Sequence, residues 1–161
     1  MRNHINKGRF KMVFSGIDSR LVTTEIATID LPSVDVSATE IPLNYGFVAK
    51  RTSGNVFNLG ELTINFFLDE DLKIYEFFYD KILDNCKPEN GEIRDTILQA
   101  ELMLLTHEGK VVKNIEFVNL QVLSIPTLTL EVNNSDTSYE IFSVSFSCEL
   151  MKLKKNRLSK E

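Results

Sequence analysis

Between Glu61 and Leu83 the hydrophobic period of the chain changes once, and the change divides a strand from a helix. Leu62, Ile64 and Phe66 alternate with Thr63 and Asn65, the pattern of a half-buried strand. From Leu72 onward Leu72, Tyr75, Phe78, Tyr79 and Ile82 recur at three- and four-residue steps and predict one face of an amphipathic helix. Asp69, Glu70 and Asp71 stand at the junction, where carboxylates cap free backbone N–H groups and meet the positive end of the helix dipole. Ile74 and Phe77 fall off the main face, so the apolar surface is wider than one stripe. It predicts either core or a subunit contact.

The remainder of the chain predicts β-structure. Phe10, Met12 and Phe14 alternate in a first strand, and residues 22–29, rich in Thr and Ile, predict a second. Leu31-Pro32 ends it, because proline cannot donate to a ladder. Residues 34–38 predict a short strand. Residues 41–59, punctuated by Pro42, Gly46, Gly54 and several asparagines, predict a long loop or a loose excursion hairpin. A polar connector, residues 85–95, follows the helix. Leu98, Ala100, Leu102 and Leu104 then alternate, and His107-Glu108-Gly109-Lys110 predicts a hairpin turn with Gly109 free to take positive φ. Residues 111–122 predict a strand long enough to hold a bulge. Leu128, Leu130 and Val132 alternate as a further strand before a turn at 133–136. The last strand has Phe142, Val144, Phe146, Cys148 and Leu150 on one face and Ser143, Ser145, Ser147 and Glu149 on the other. Residues 152–161 predict a charged, frayed tail. The expected class is mainly β: a two-layered antiparallel sandwich or barrel with one flanking α-helix, in a single domain over residues 1–161.

Composition narrows the function more by exclusion than by motif. The length supports a full core without metal or disulfide help, and Cys86 and Cys148 form no CxxC pair, so a reducing compartment is the default. A net charge of -5 argues against clamping nucleic acid through its phosphates. The polar N-terminus carries no apolar signal region, and no run is long enough to cross a bilayer. Catalytic candidates are few. His4 and His107 are the only histidines, HEGK is not the HExxH helix motif, and no glycine-rich phosphate loop occurs. Helix capping accounts for the acidic cluster, an apolar strand face accounts for Cys148, and Cys86 near a helix end is poorly placed for a thiolate. No catalytic, cofactor or metal residue is expected, and no cofactor. Lys50-Arg51 is a basic pair within the long segment, either solvated or partner-binding.

Three stretches resemble the tail-tube family of tailed bacteriophages and related contractile injection machines. FKMVFSGIDSRLVTTEIATIDLP is similar to the opening strands of tube-type proteins and their Leu-Pro break. ELTINFFLDEDLKIYEFFYDKIL is similar to their strand, acidic cap and aromatic helix. The segment from AELMLL to CELMKL is similar to their closing strands. The likeness spans roughly residues 9–153. It departs at Tyr79-Asp80-Lys81, where many relatives carry a tryptophan, and the acidic-cap helix looks nearest to tube terminator or completion proteins and to baseplate initiators. The resemblance implies a structural virion protein of a contractile tail, built into a hexameric ring at a tube end. A major tube protein is the alternative within the family, and outside it a monomeric barrel binding an apolar ligand. The implied partners are further copies of the chain and neighbouring tube, sheath, terminator or baseplate proteins. DNA would pass through unread, with no membrane involved, in a virion tail assembled in the host cytoplasm. Tyr45, Lys50, Arg51, Asn55 and Phe57 become the candidate ring-stacking loop, and Ser143, Ser145, Ser147 and Glu149 the candidate lumen face. Leu72, Tyr75, Phe78, Tyr79 and Ile82 become the packing or interface face of the helix.

Overall fold

The computed structural model describes residues 9–17, 19–42, 49–86, 98–130 and 139–155. The element order is β1 (Phe10–Phe14), α1 (Ser19–Glu25), β2 (Ile26–Asp30), β3 (Val34–Pro42), β4 (Ala49–Leu59), β5 (Leu62–Phe67), α2 (Lys73–Cys86), β6 (Leu98–Leu105), β7 (Val111–Ser124), β8 (Ile141–Ser147) and β9 (Leu150–Lys155). All pairings are antiparallel.

One hydrogen-bonded path runs β1-β6-β7-β8-β5-β2, with β9 added to β7, and a separate two-stranded sheet holds β3 and β4. The long strand β7 folds this path into two layers. Its first part pairs with β6 on one side and β9 on the other, while Gln121 to Ser124 pair with β8. The hinge is Asn119, whose φ of 53° lies in the left-handed region that asparagine tolerates better than most residues. Ile115 and Phe117 are buried before it, Leu120 and Val122 after it. The extra residue therefore shifts the alternation by one and keeps the apolar side inward as the strand turns from layer to layer. The partner chain jogs at the same place. β8 ends at Ser147, and β9 starts at Leu150 with Glu149 N donating to Val118 O at 3.1 Å. The Asn119 side-chain amide donates to the Glu149 carboxylate across the corner.

The core between the layers is aromatic. Phe14 of β1 stacks on Phe146 of β8 at 5.8 Å, and Phe66 of β5 stacks on Phe142 of β8 at 5.5 Å. Phe78 of α2 meets Phe14, Phe66 and Phe146 at 5.6, 5.3 and 5.4 Å, so the helix closes one side of the sandwich. Asp69 caps that helix: its Oδ2 accepts from Lys73 N at 3.2 Å and its carbonyl from Leu72 N at 3.1 Å. The hairpin turn at 107–110 forms with Gly109 at φ 80°, and the Arg9 guanidinium donates to the His107 carbonyl. The β3–β4 hairpin is pinned at its base by Gly60 N donating to Ser33 O at 2.8 Å. The chains approach so closely there that a Cβ on Gly60 would lie 2.4 Å from Ser33 Oγ.

Several expectations need correction. Residues 22–29 are not one strand: α1 takes Ser19–Glu25 and only Ile26–Asp30 pairs with β5, so α2 is not the only helix. The β-branched Val22, Thr23 and Thr24 favour strand, but Thr23 Oγ1 donates to the Met12 carbonyl at 3.1 Å and Val22 fills the core, and these tertiary contacts prevail. Residues 41–59 are not mainly loop. Residues 49–59 form β4, laddered against a β3 that runs on to Pro42, which is the hairpin alternative; residues 43–48 lie outside the described residues. Residues 127–130 pair with no strand. The run from Phe142 to Leu150 is broken at the corner, and residues 152–155 are not a frayed tail but part of β9, held by register from Lys113↔Lys155 to Val118↔Leu150. Residues 156–161 lie outside the described residues.

Candidate functional site

The layer made of β2, β5, β8 and the end of β7 presents an outer face built from hydroxyls and amides. Ser143 donates to Asn65 Oδ1, and Asn65 Nδ2 donates to Thr28 Oγ1 at 2.6 Å, so one polar row crosses three strands. A second row follows from register: Asp30 opposite Thr63, Thr63 opposite Ser145, and Ser145 opposite Ser124. Ser147 lies opposite Gln121. Glu149 is past the end of β8, in the corner against Asn119, and so is set apart from the three serines. No lysine or arginine occurs in any of these four segments. Thr28, Thr63, Asn65 and Ser124 join this face only through strand pairing. Their signal in the sequence is the alternation of Thr63 and Asn65 with buried residues, but nothing local says which strands are neighbours.

The outer face of the other layer is charged. Glu101 and Glu116 stand opposite each other in register, relieved by Asn114 Nδ2 donating to Glu101 at 2.7 Å and by Lys154 Nζ bridging Glu116 at 2.6 Å. The hydrogen bond from Lys154 holds the Glu116 carboxyl below its ordinary range. Both side chains are solvated, so the pair contributes little to stability. A shallow open groove of about 240 Å³ lies beside it, between Val13, Gln99, Glu101 and Lys154.

The helix face is centred differently from its expected position. Ile74 and Phe78 are fully buried, flanked by half-buried Tyr75, Phe77 and Ile82. Leu72, expected on the face, is 44% exposed. It precedes the helix with φ 53°, which takes it out of helical register. Tyr79 is 48% exposed and lies outside the core, its ring stacked on Tyr75 at 6.5 Å. Tyr75 in turn packs edge-on against Phe142 at 5.4 Å. Where β5 meets this helix, Tyr139 sets its ring against Phe67 at 5.9 Å and is 82% exposed. Sequence reasoning missed Tyr139, which stands outside any periodic segment. Around this corner Glu70, Asp71, Glu76, Asp80 and Glu140 are exposed. The hydrogen bond and charge of Lys73, 2.8 Å away, lower the Asp71 carboxyl from its ordinary range.

Of the candidate stacking residues, Phe57 is half-exposed on β4, opposite Val36. The backbone register places Lys50 opposite Ile41 and Arg51 opposite Glu40, and Asn55 lies on the same strand. Tyr45 is outside the described residues, as is His4.

Among the described residues no group of three or more His, Cys, Asp or Glu side chains could hold a metal ion, and no helix is long and apolar enough to cross a membrane. Cys148 is buried, its Sγ directed at the carbonyls of Leu150 and Val118 at 3.2 and 3.6 Å, and burial pushes its thiol up. Cys86 is exposed and free at the end of α2.

No protein-family model and no curated protein matches this chain. Solved structures do match its fold. The tube-terminating cap of the anti-feeding prophage superposes with a TM-score of 0.70 at 9% identity, over 96% of this chain and 93% of that one. The sheath/tube terminator of the PVC extracellular contractile injection system, in its extended state, gives 0.69 at 8% identity over 95% and 98%. A chain of the six-fold symmetrised anti-feeding prophage baseplate gives 0.66 at 12% identity over 98% and 100%. At these identities the likeness is one of fold, and the chain has the mainly β tail-tube fold of contractile injection machines.

Proposed function

We propose that this protein is a structural component of a contractile tail and forms a hexameric ring at one end of the tail tube, as terminator, completion or baseplate-initiator ring. The observation that carries the reading is the full-length match in both directions to chains whose assemblies are tube-terminating caps and a six-fold baseplate. In the ring, the layer of β2, β5, β8 and the end of β7 faces the channel, and the charged layer faces outward toward sheath or neighbouring tail proteins. A channel lining of Ser, Thr and Asn side chains without fixed cations lets DNA slide, because nothing along it neutralises phosphate. The role needs no catalysis and no cofactor. The place of action is the tail of the particle, after assembly in the host cytoplasm.

The interior supports this reading over a ligand-binding barrel. The space between the layers is occupied by Phe14, Phe66, Phe78, Phe142 and Phe146 in mutual ring contact.

Negative-stain microscopy of the purified protein tests the assembly: end-on six-membered rings are expected, long tubes point to a major tube protein, and monomers that bind an apolar dye in their interior refute the ring. Ser145→Lys tests the lining. Ser145 is only half-buried on an outer face, so the variant folds and forms rings, and a cation inside the channel retards DNA passage. Rings of Ser145→Lys that give particles of normal infectivity place this face away from the channel.

A further inference from the structure

The single chain leaves two apolar surfaces open to water, and they differ in charge. The first is the corner where β5 runs into α2. Tyr139, Tyr79 and Leu72 are exposed there, joined through Phe67, Tyr75 and Phe142 beneath them. Five exposed carboxylates surround it, on Glu70, Asp71, Glu76, Asp80 and Glu140, against the cations of Lys73 and Lys81. The second surface is the β3–β4 hairpin. Val34 lies opposite Leu59 and Val36 opposite Phe57, so the four share one side, and Val34, Val36 and Phe57 are each about half-exposed. Farther out, β4 carries the cationic residues Lys50 and Arg51. A two-stranded hairpin that packs on no third strand is marginal in water, which makes an external support for it a physical requirement.

We infer that the β3–β4 hairpin of one copy docks on the acidic aromatic corner of α2 in the next copy, with Val34, Val36 and Phe57 against Tyr79, Tyr139 and Leu72. This rests on the ring reading, and it names the contact that closes the ring. The two surfaces are different patches of one molecule, so their pairing is heterologous, which closes into a ring when the rotation permits and forms no isolated two-fold dimer. The charges favour this occupant: the outer part of β4 brings two cations to a corner whose exposed carboxylates outnumber its cations. Aromatic anchors inside a charged rim are the usual anatomy of a protein contact.

The experiment uses full-length protein with Cys86→Ser to remove the exposed native thiol. Phe57→Cys and Tyr79→Cys are made separately and mixed under mild oxidation. A disulfide between the two variants is expected, well above the self-crosslinking of either alone. In sedimentation velocity, Tyr79→Ala weakens self-association about tenfold or more, as truncating a central aromatic does. It leaves the denaturation midpoint near that of the parent protein because the side chain is already half in water. Lys50→Glu with Arg51→Glu weakens association likewise, and adding Glu70→Lys with Glu76→Lys restores it. Rings that form equally in all variants, with no mixed crosslink, overturn the docking and leave the ring reading standing. A mixed crosslink in open chains or filaments supports the docking and counts against the closed ring. Phe57→Cys crosslinking mainly to itself shows hairpin meeting hairpin and overturns the assignment. A wild-type chain still monomeric at about 1 mM excludes a second copy as the occupant.

Discussion

Phe78→Ala removes the ring on which α2 and both layers converge. Phe78 is 0% exposed, and an aromatic side chain of this kind takes about 150–250 Å² out of water. At ~25 cal/mol per Å² that burial contributes about 4–6 kcal/mol, of which alanine keeps a part. The ring also meets Phe14, Phe66, Phe77 and Phe146 at 5.6, 5.3, 5.2 and 5.4 Å, from three strands and its own helix. Because those strands are each hydrogen-bonded to a neighbour, they cannot close over the cavity. The loss therefore belongs in the upper part of the range of about 3–5 kcal/mol seen for such truncations. A domain of this size has about 5–15 kcal/mol in total, so the variant folds near its limit. Urea unfolding followed by circular dichroism measures it. With an unchanged slope of about 2 kcal/mol per M the midpoint falls by about 2 M. Tyr79→Ala, one residue on but 48% exposed, is the internal control and shifts stability by less than about 1 kcal/mol. If the two variants lose the same stability, or Phe78→Ala loses none, the helix does not close the core as described.

Asn119→Val forces a β-branched residue into positive φ at the corner and is expected to destabilise by about 1–3 kcal/mol, whereas Asn119→Gly keeps the backbone and loses mainly the bond to Glu149; equal losses in thermal melts would contradict the hinge. The raised Cys148 thiol implies an alkaline limb. The unfolded thiol ionises first, near 9.0, so its contribution to stability is full below that pH and declines as pH rises toward the folded value. Cys148→Ala should flatten the limb, and in the wild-type protein alkylation should modify Cys86 well before Cys148. Amides of β4 are expected to exchange quickly in the isolated chain and slowly in the ring, and equal protection in both would remove the hairpin from any assembly contact.

Legibility in the sequence followed how local the determinant was. The strand β5 and the capped helix α2 were readable because alternation, acidic cap and helical spacing all act within a few residues. The burial of Phe78 was readable for the same reason. The rotation of α2 was not, because residues 74–79 are nearly all apolar and several faces satisfy the helical period. Only the positions of Phe14, Phe66 and Phe146 choose Ile74 and Phe78 over Leu72 and Tyr79. Helix α1 was misread because Val22, Thr23 and Thr24 favour strand locally, while its helical form is held by β1. The hairpin hid behind Gly54, Asn55 and Asn58, residues that mark loops unless a partner strand supplies the ladder. On the candidate lumen face the three serines of β8 were visible, but the row they complete with Asn65 and Thr28 exists only through pairing across distant sequence.

The break between Cys148 and Leu150 ties the fold to the proposed role. A β8 that ran straight on would carry the lysines of β9 into the same layer as the serines, and that face would hold cations. The jog at Glu149, matched by Asn119 in β7, sends residues 150–155 to the other layer instead, where Lys152 lies opposite Glu116 and Lys154 bridges it. One local feature thus separates an uncharged face from a charged one along what is nearly a continuous strand. A free monomer gains nothing from this separation, since mixed charges on both faces would serve solubility better. A ring gains from it directly: hydroxyls and amides line the passage, and charges face the proteins outside. On this argument a substitution that straightens the corner harms function before it harms stability, because it brings lysine toward the channel while the core positions on either side remain filled.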